Sequence, residues 1–214
     1  MHARAAILSG TTCLLLAACG GATQPQQTVL QQEEERAREL AEHKGWDRVF
    51  SGPAETIAAA NQYGFYNGEY KPTGASPAFR STGREATISN SFAPKPNTTS
   101  FTASGATADK LDALAFSLTI TDPDKAAMAK SRFRKILDGF LFHYGIPARD
   151  TVRNFVTQEV PASETLPGAT VTAEKLPVEG GGPASRRLIV TFPRSGATAP
   201  ANPEAQGTED GNRR

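Results

Sequence analysis

Large apolar side chains recur along this chain in two periods, and the switch between them marks its organisation. Leu114, Phe116, Leu118 and Ile120 alternate with Ala113, Ala115, Ser117, Thr119 and Thr121, the period of a strand with one greasy face and one small-residue face. Directly afterwards Ala126, Ala129, Phe133, Ile136, Leu137, Phe140, Leu141 and Tyr144 share one side of an α-helix. Asp122 fits the N-cap of that helix, Pro123 its first position and Asp124 the positive end of its dipole, while Gly145-Ile146-Pro147 ends it. The two apolar surfaces can cover each other.

Weaker patterns flank this unit. Residues 151–160 are expected to form a strand, 161–167 a loop and 169–176 a second strand. The run Glu179-Gly180-Gly181-Gly182-Pro183 is a turn; it does not lead into a helix, so it lacks the geometry of a phosphate loop. The last strand spans 186–193, with Leu188, Val190 and Phe192 opposing Arg187, Ile189 and Thr191, and should pair antiparallel with its predecessor. A right-handed crossover would join the first two strands if they lay side by side in parallel.

Upstream, residues 28–44 read as a helix with a Thr28/Gln31 capping box and Gly45 as its left-handed stop. With few large apolar residues it suits a solvated stalk, or a coiled-coil contact, better than a core. Pro53 opens a short helix that Gly64 closes. Residues 73–110 are mostly Ser, Thr, Pro, Gly and Asn, interrupted by an edge strand over 84–92 and a shorter extended piece around Phe101. The expected fold class is therefore a two-layer α+β domain: a small mixed or antiparallel sheet with one long amphipathic helix on one face. That domain occupies 46–194, best specified over 111–194, followed by a disordered tail over 195–214 rich in Ala, Pro, Gly and acid.

Composition adds an address. Arg4 precedes the uncharged, mostly apolar run 5–18, which ends in Leu16-Ala17-Ala18-Cys19. An ordinary secretory signal would also show a short positive start and such a run. The final four residues resemble the lipobox of bacterial lipoproteins. That resemblance implies cleavage before Cys19, acylation of Cys19, and, because Gly20 rather than Asp follows, sorting to the outer membrane on its periplasmic side. A diacylated anchor holds firmly, each buried methylene contributing about 0.8 kcal/mol. The domain plan is then signal peptide 1–18 and lipidated tether with stalk 19–45. The mature chain keeps no second cysteine, since Cys13 lies in the signal, so its core must hold it without an intrachain disulfide. With 23 Lys and Arg against 22 Asp and Glu, no global field points to nucleic acid.

Candidate chemistry is sparse. The outward face of the long helix carries Lys125, Arg132, Arg134 and Lys135, suited to phosphates, to an acidic partner or simply to water. Met128 and Phe142 face away from the core stripe, and are covered by another segment or form a partner surface. In the run Phe65-Tyr66-Asn67-Gly68-Glu69-Tyr70-Lys71-Pro72, the rings either cover the core's end or serve as a contact loop in which Tyr66 and Tyr70 meet sugars or peptides. Asn97-Thr98-Thr99 matches a glycosylation acceptor, without weight in a bacterial lipoprotein. His43 and His143 lie far apart, no zinc-ligand spacing exists, and no Gly-x-Ser-x-Gly elbow is present; no metal or cofactor is implied. His143 near a helix C-terminus suits its dipole.

A second, partial resemblance covers 112–193. The strand, Thr121-Asp122, a helix containing Ser131-Arg132 and ending Tyr144-Gly145-Ile146-Pro147-Ala148, and then Arg186-Arg187-Leu188-Ile189-Val190 resemble the second half of an OmpA-like peptidoglycan-binding domain. That resemblance implies Asp122 and Arg132 as holders of the charged ends of diaminopimelate; the family's Gly-His-Thr-Asp sequence, its intervening Asn and its extra loop are absent. Three readings follow: a non-catalytic lipoprotein that binds or scaffolds a protein partner in an envelope complex; a peptidoglycan binder acting through Asp122 and Arg132; and an envelope hydrolase with an unrecognised site, which would require a deep pocket of converging polar groups.

Overall fold

The computed structural model describes residues 28–89 and 94–197. The lipobox with Cys19, the tether, the end of the expected strand over 84–92 and most of the tail lie outside the described residues. Eight strands make one sheet: β1 (Lys71–Pro72), β2 (Phe79–Thr82), β3 (Ala86–Thr87), β4 (Thr98–Gly105), β5 (Ala113–Ile120), β6 (Ala162–Leu166), β7 (Ala169–Pro177) and β8 (Arg186–Pro193). Their order is β1-β2-β4-β5-β8-β7-β6, with β3 also paired to β4. The helices are α1 (Val29–Glu42), α2 (Gly45–Ser51), α3 (Pro53–Asn61), α4 (Ala126–His143) and α5 (Asp150–Gln158). The result is the expected α+β fold with the long helix on one face.

Among the described residues every strand pair is antiparallel, so β5 and its successor are not joined by a parallel crossover; the chain leaves β5 through α4 and α5, reaches the far edge at β6 and returns by β7 and β8. Residues 150–158, expected as part of a strand, are helix α5. Their Val152, Phe155 and Val156 are buried at helical spacing, and that periodicity outweighs the strand preference of the threonines and valines. Residues 162–166, expected as loop, form β6. Its only fully buried side chain is Leu166, so a polar edge strand held by backbone pairing to β7 left little apolar signal. Around Phe101 the short extended piece is the eight-residue β4, and of the strand expected over 84–92 the described residues form β3, in which Ala86 and Thr87 pair with β4.

Register makes the two faces differ. Phe101 stands opposite Phe116, and Phe116 opposite Val190; Leu114 aligns with Phe192 and Leu118 with Leu188. All of these join the core, to which α4 adds Ala126, Ala129, Phe133, Leu137, Phe140 and Leu141, α5 adds Val152, Phe155 and Val156, and α2 adds Trp46, Val49 and Phe50. The alternate residues Thr98, Ser100, Thr102, Ala115, Ser117, Ile189 and Thr191 point the other way, half-buried only. Among them Ser100 and Ser117 share a hydrogen bond of 2.6 Å.

Asn97, whose motif matches a glycosylation acceptor without weight, is wholly buried and ties β4 to the end of β5. Its Oδ1 accepts from the backbone N–H groups of Thr121 (2.9 Å) and Asp122 (2.8 Å), while Nδ2 donates to Asp122 O at 3.0 Å. Asn97→Ala would orphan three part-buried backbone groups, each costing about 1–3 kcal/mol when unsatisfied. We expect a loss of roughly 3 kcal/mol or more in urea unfolding; a loss under about 1 kcal/mol would show that the staple is dispensable.

Candidate functional site

The depression with the most distinctive chemistry lies where the segment after α3 meets β3 and α4. Gly64, with φ of +86°, turns the chain out of α3. Phe65 then buries completely, its ring 5.7 Å from those of both Phe101 and Phe116. The next residue must face outward: Tyr66 is 65% exposed and holds a left-handed φ of +51°, a conformation unfavourable for an aromatic residue. The loop is clamped there. Asn61 Oδ1 accepts from Asn67 N at 2.7 Å and Asn61 Nδ2 donates to Asn67 O at 3.0 Å, while Asn67 Nδ2 donates to Phe101 O at 3.0 Å.

Gly83 completes the clamp. A Cβ on it would lie 2.2 Å from Phe65 O, so only glycine lets the two segments approach this closely. Arg84 follows immediately, its guanidinium 5.1 Å from the centroid of the Tyr66 ring, within cation–π range. From α4, Arg132 Nη1 donates to Ile88 O at 2.8 Å, and Lys135 stands one turn further on. Together with Tyr63, Glu85 and Ile136 these residues line an open depression of about 700 Å³. Three cations there oppose one carboxylate, and Glu85 already accepts from Thr98 Oγ1 at 2.9 Å.

The remaining candidates separate. Asp122 is not among the lining residues; its side chain accepts from Asp124 N at 3.1 Å and caps a 3-10 turn over Pro123–Lys125, whereas α4, the helix it was expected to cap, begins only at Ala126 with Lys125 as its N-cap. Tyr70, expected as a contact residue, is half-buried, donates to Lys110 O at 3.0 Å and packs against Phe79, so it braces the β4–β5 loop. Met128 is half-buried, whereas Phe142 is 83% exposed. His43 pairs with Asp47, and His143 is exposed beside Tyr144. A second depression of about 540 Å³ runs between Leu40, α3 and residues 67–70; its Glu55 pairs with Arg48 at 2.5 Å. Among the described residues no group of three or more His, Cys, Asp or Glu is placed to hold a metal ion.

One charged cluster was not foreseen. Glu159, at the end of α5 with φ of +60°, accepts from Arg186 Nε and Nη2, both at 2.6 Å, and from Lys130 Nζ at 3.1 Å, with Lys175 Nζ at 3.7 Å. It thereby pins α5 to α4, β7 and β8. Hydrogen bonding to Arg186 lowers its carboxyl from 4.5 to about 2, against an opposing effect of burial. A folded-state value below the unfolded one means that the contribution to stability is complete above about pH 4.5 and is lost as pH falls towards 2. Glu159→Gln should flatten that acid limb of a stability–pH curve measured by thermal unfolding; an unchanged limb would assign it to other carboxylates.

Tyr66 and Arg132 belong to separate contexts in the sequence, and the fold brings them to one depression. Arg84 was passed over as a strand residue, although its position directly after Gly83 was the available signal. Comparison with protein-family models, with curated proteins and with solved structures finds no match to this chain.

Proposed function

We propose that the chain is a lipid-anchored envelope lipoprotein, held through Cys19 on the periplasmic side of the outer membrane, whose α+β domain binds or scaffolds a protein partner in an envelope complex and carries no catalysis. The observation that supports this reading most is the sheet face turned away from the helices. Thr98, Ser100, Thr102, Ala115, Ser117 and Thr191 share that face with Ile189 on β4, β5 and β8, and Glu174 of β7 borders Ile189 on its other side. These are central strands, where an antiparallel sheet commonly leaves one face in water. Short side chains over such an area let a partner's backbone approach closely, and the hydroxyls provide adaptable hydrogen bonds.

The N-terminal part suits a tethered binder. The capping box forms as expected, Thr28 Oγ1 accepting from Gln31 N at 3.4 Å and Gln31 Oε1 from Thr28 N at 3.0 Å. Val29 and Leu30 are more than two-thirds exposed, and α1 touches the domain mainly through the half-buried Leu40 against Gly52. Its 14 residues span about 21 Å, a spacer between an anchor and the domain.

Two measurements test the reading. Metabolic labelling with palmitate should mark the wild type and leave Cys19→Ser unlabelled; equal labelling of both would remove the anchor from the account. Ala115→Arg should keep the melting temperature within about 3 °C, as expected of a surface substitution, yet reduce by at least tenfold the protein recovered with the acylated chain from mild detergent. Undiminished recovery would move the partner off this face.

A further inference from the structure

We infer that the depression lined by Tyr66, Arg84, Arg132 and Lys135 is a binding site for an anionic saccharide, a sugar ring bearing a carboxylate or phosphate. The site adjoins the sheet face assigned to a protein partner only where Glu85 accepts from Thr98, and shares no lining residue with it. Its electrostatics select the anion: Arg84, Arg132 and Lys135 are all exposed at its rim, and the single acid, Glu85, is engaged by Thr98. This local excess of positive charge stands out in a chain whose total charge is +1. Among the described residues Arg132 commits one guanidinium nitrogen, to Ile88 O; a guanidinium presents five N–H donors in a fork that matches carboxylate and phosphate oxygens.

The aromatic geometry selects the ring. A backbone clamp forces the large apolar Tyr66 side chain outward, at the cost of a left-handed φ that a turn built only for connection would give to glycine or asparagine. Arg84 covers one part of the ring by cation–π attraction and so holds it in place. What remains exposed is a preorganised platform on which the C–H face of a pyranose can lie while its anionic group reaches the guanidinium groups. Volume agrees: about 700 Å³ exceeds the space that a lone inorganic anion would fill and lies within the range of small-molecule sites. Ile88, Ile136 and the half-buried Tyr63 supply an apolar floor.

Saturation-transfer-difference NMR on the full mature chain in detergent micelles tests this, with glucuronate and glucose 1-phosphate as probes and neutral glucose as comparator. Both anionic sugars should receive saturation through their ring protons at least fivefold more strongly than glucose. Response to only one of them still supports the site and tells carboxylate from phosphate. Tyr66→Ala and, separately, the double variant R84Q/R132Q should each reduce the signal at least fivefold, with unchanged far-UV circular dichroism. Lys135→Glu, fully on the rim, serves as a milder variant and should reduce it about twofold. Equal saturation of glucose, or anionic sugars whose signal survives the Tyr66 and Arg84/Arg132 substitutions, would overturn the assignment. Neither result bears on Ala115→Arg, so this site and the partner face fail independently.

Discussion

The structure depends on the meeting of Phe101, Phe116 and Phe140. The β4–β5 register sets Phe101 directly opposite Phe116, their ring centroids 4.8 Å apart, and α4 lowers Phe140 to 5.0 Å from Phe116 in an edge-on contact. Each aromatic pair of this kind is worth about 0.5–1.5 kcal/mol beyond its burial. The constraint matters more than the energy. A slip of one residue between β4 and β5 would put the two phenylalanines on opposite faces, turning one into water and bringing that strand's serines and threonines under α4. Phe65 locks the same cluster from the α3 side.

Much else follows from that one-sidedness. Since the phenylalanines of β4, β5 and β8 turn towards the helices, the opposite face is left mostly with Ser, Thr and Ala around Ile189, bordered by Glu174 and Arg187. The burial of Phe65 likewise forces Tyr66 outward. Polar staples then fix the ends that the apolar core cannot reach: Asn97 joins β4 to the end of β5, Asp112 takes Arg194 at 2.5 Å to close the far end of β5 on the exit of β8, and Glu159 collects Lys130, Lys175 and Arg186. Tyr144 belongs to the same class of interior contact. It donates to Thr56 Oγ1 at 3.3 Å, Thr56 donates to Val49 O at 2.7 Å, and burial pushes its phenol up to about 12.

Strong periodicity made β5, α4 and β8 legible, because there a single spacing of large apolar residues coincides with burial; β7 was legible from its Val171, Thr170 and Thr172 content. Capping chemistry did the same for Thr28, Asp122 and Pro53. Edge elements were not legible. In β2 only Ser81 is buried, and in β6 only Leu166, so backbone pairing, invisible in side-chain pattern, decides them. Helix α5 was missed for a different reason: nine residues of strand-favouring composition carry a helical triad too short to dominate a window. The site suffered most, since Tyr66, Arg84 and Arg132 come from three segments, and their convergence depends on the clamp of Asn61, Asn67 and Gly83 that only the fold displays.

The claim that this chain works through the face its core leaves uncovered can be tested by site-specific photocrosslinking in intact envelopes. A photoreactive residue would be placed at Ser117, Ile189 or Thr191 on the sheet and, for comparison, at Ala127 or Ser131, both exposed on α4. Adducts of one discrete mass from the sheet positions, and none from α4, are the predicted result. Adducts from α4 alone, or none from any sheet position, would contradict it.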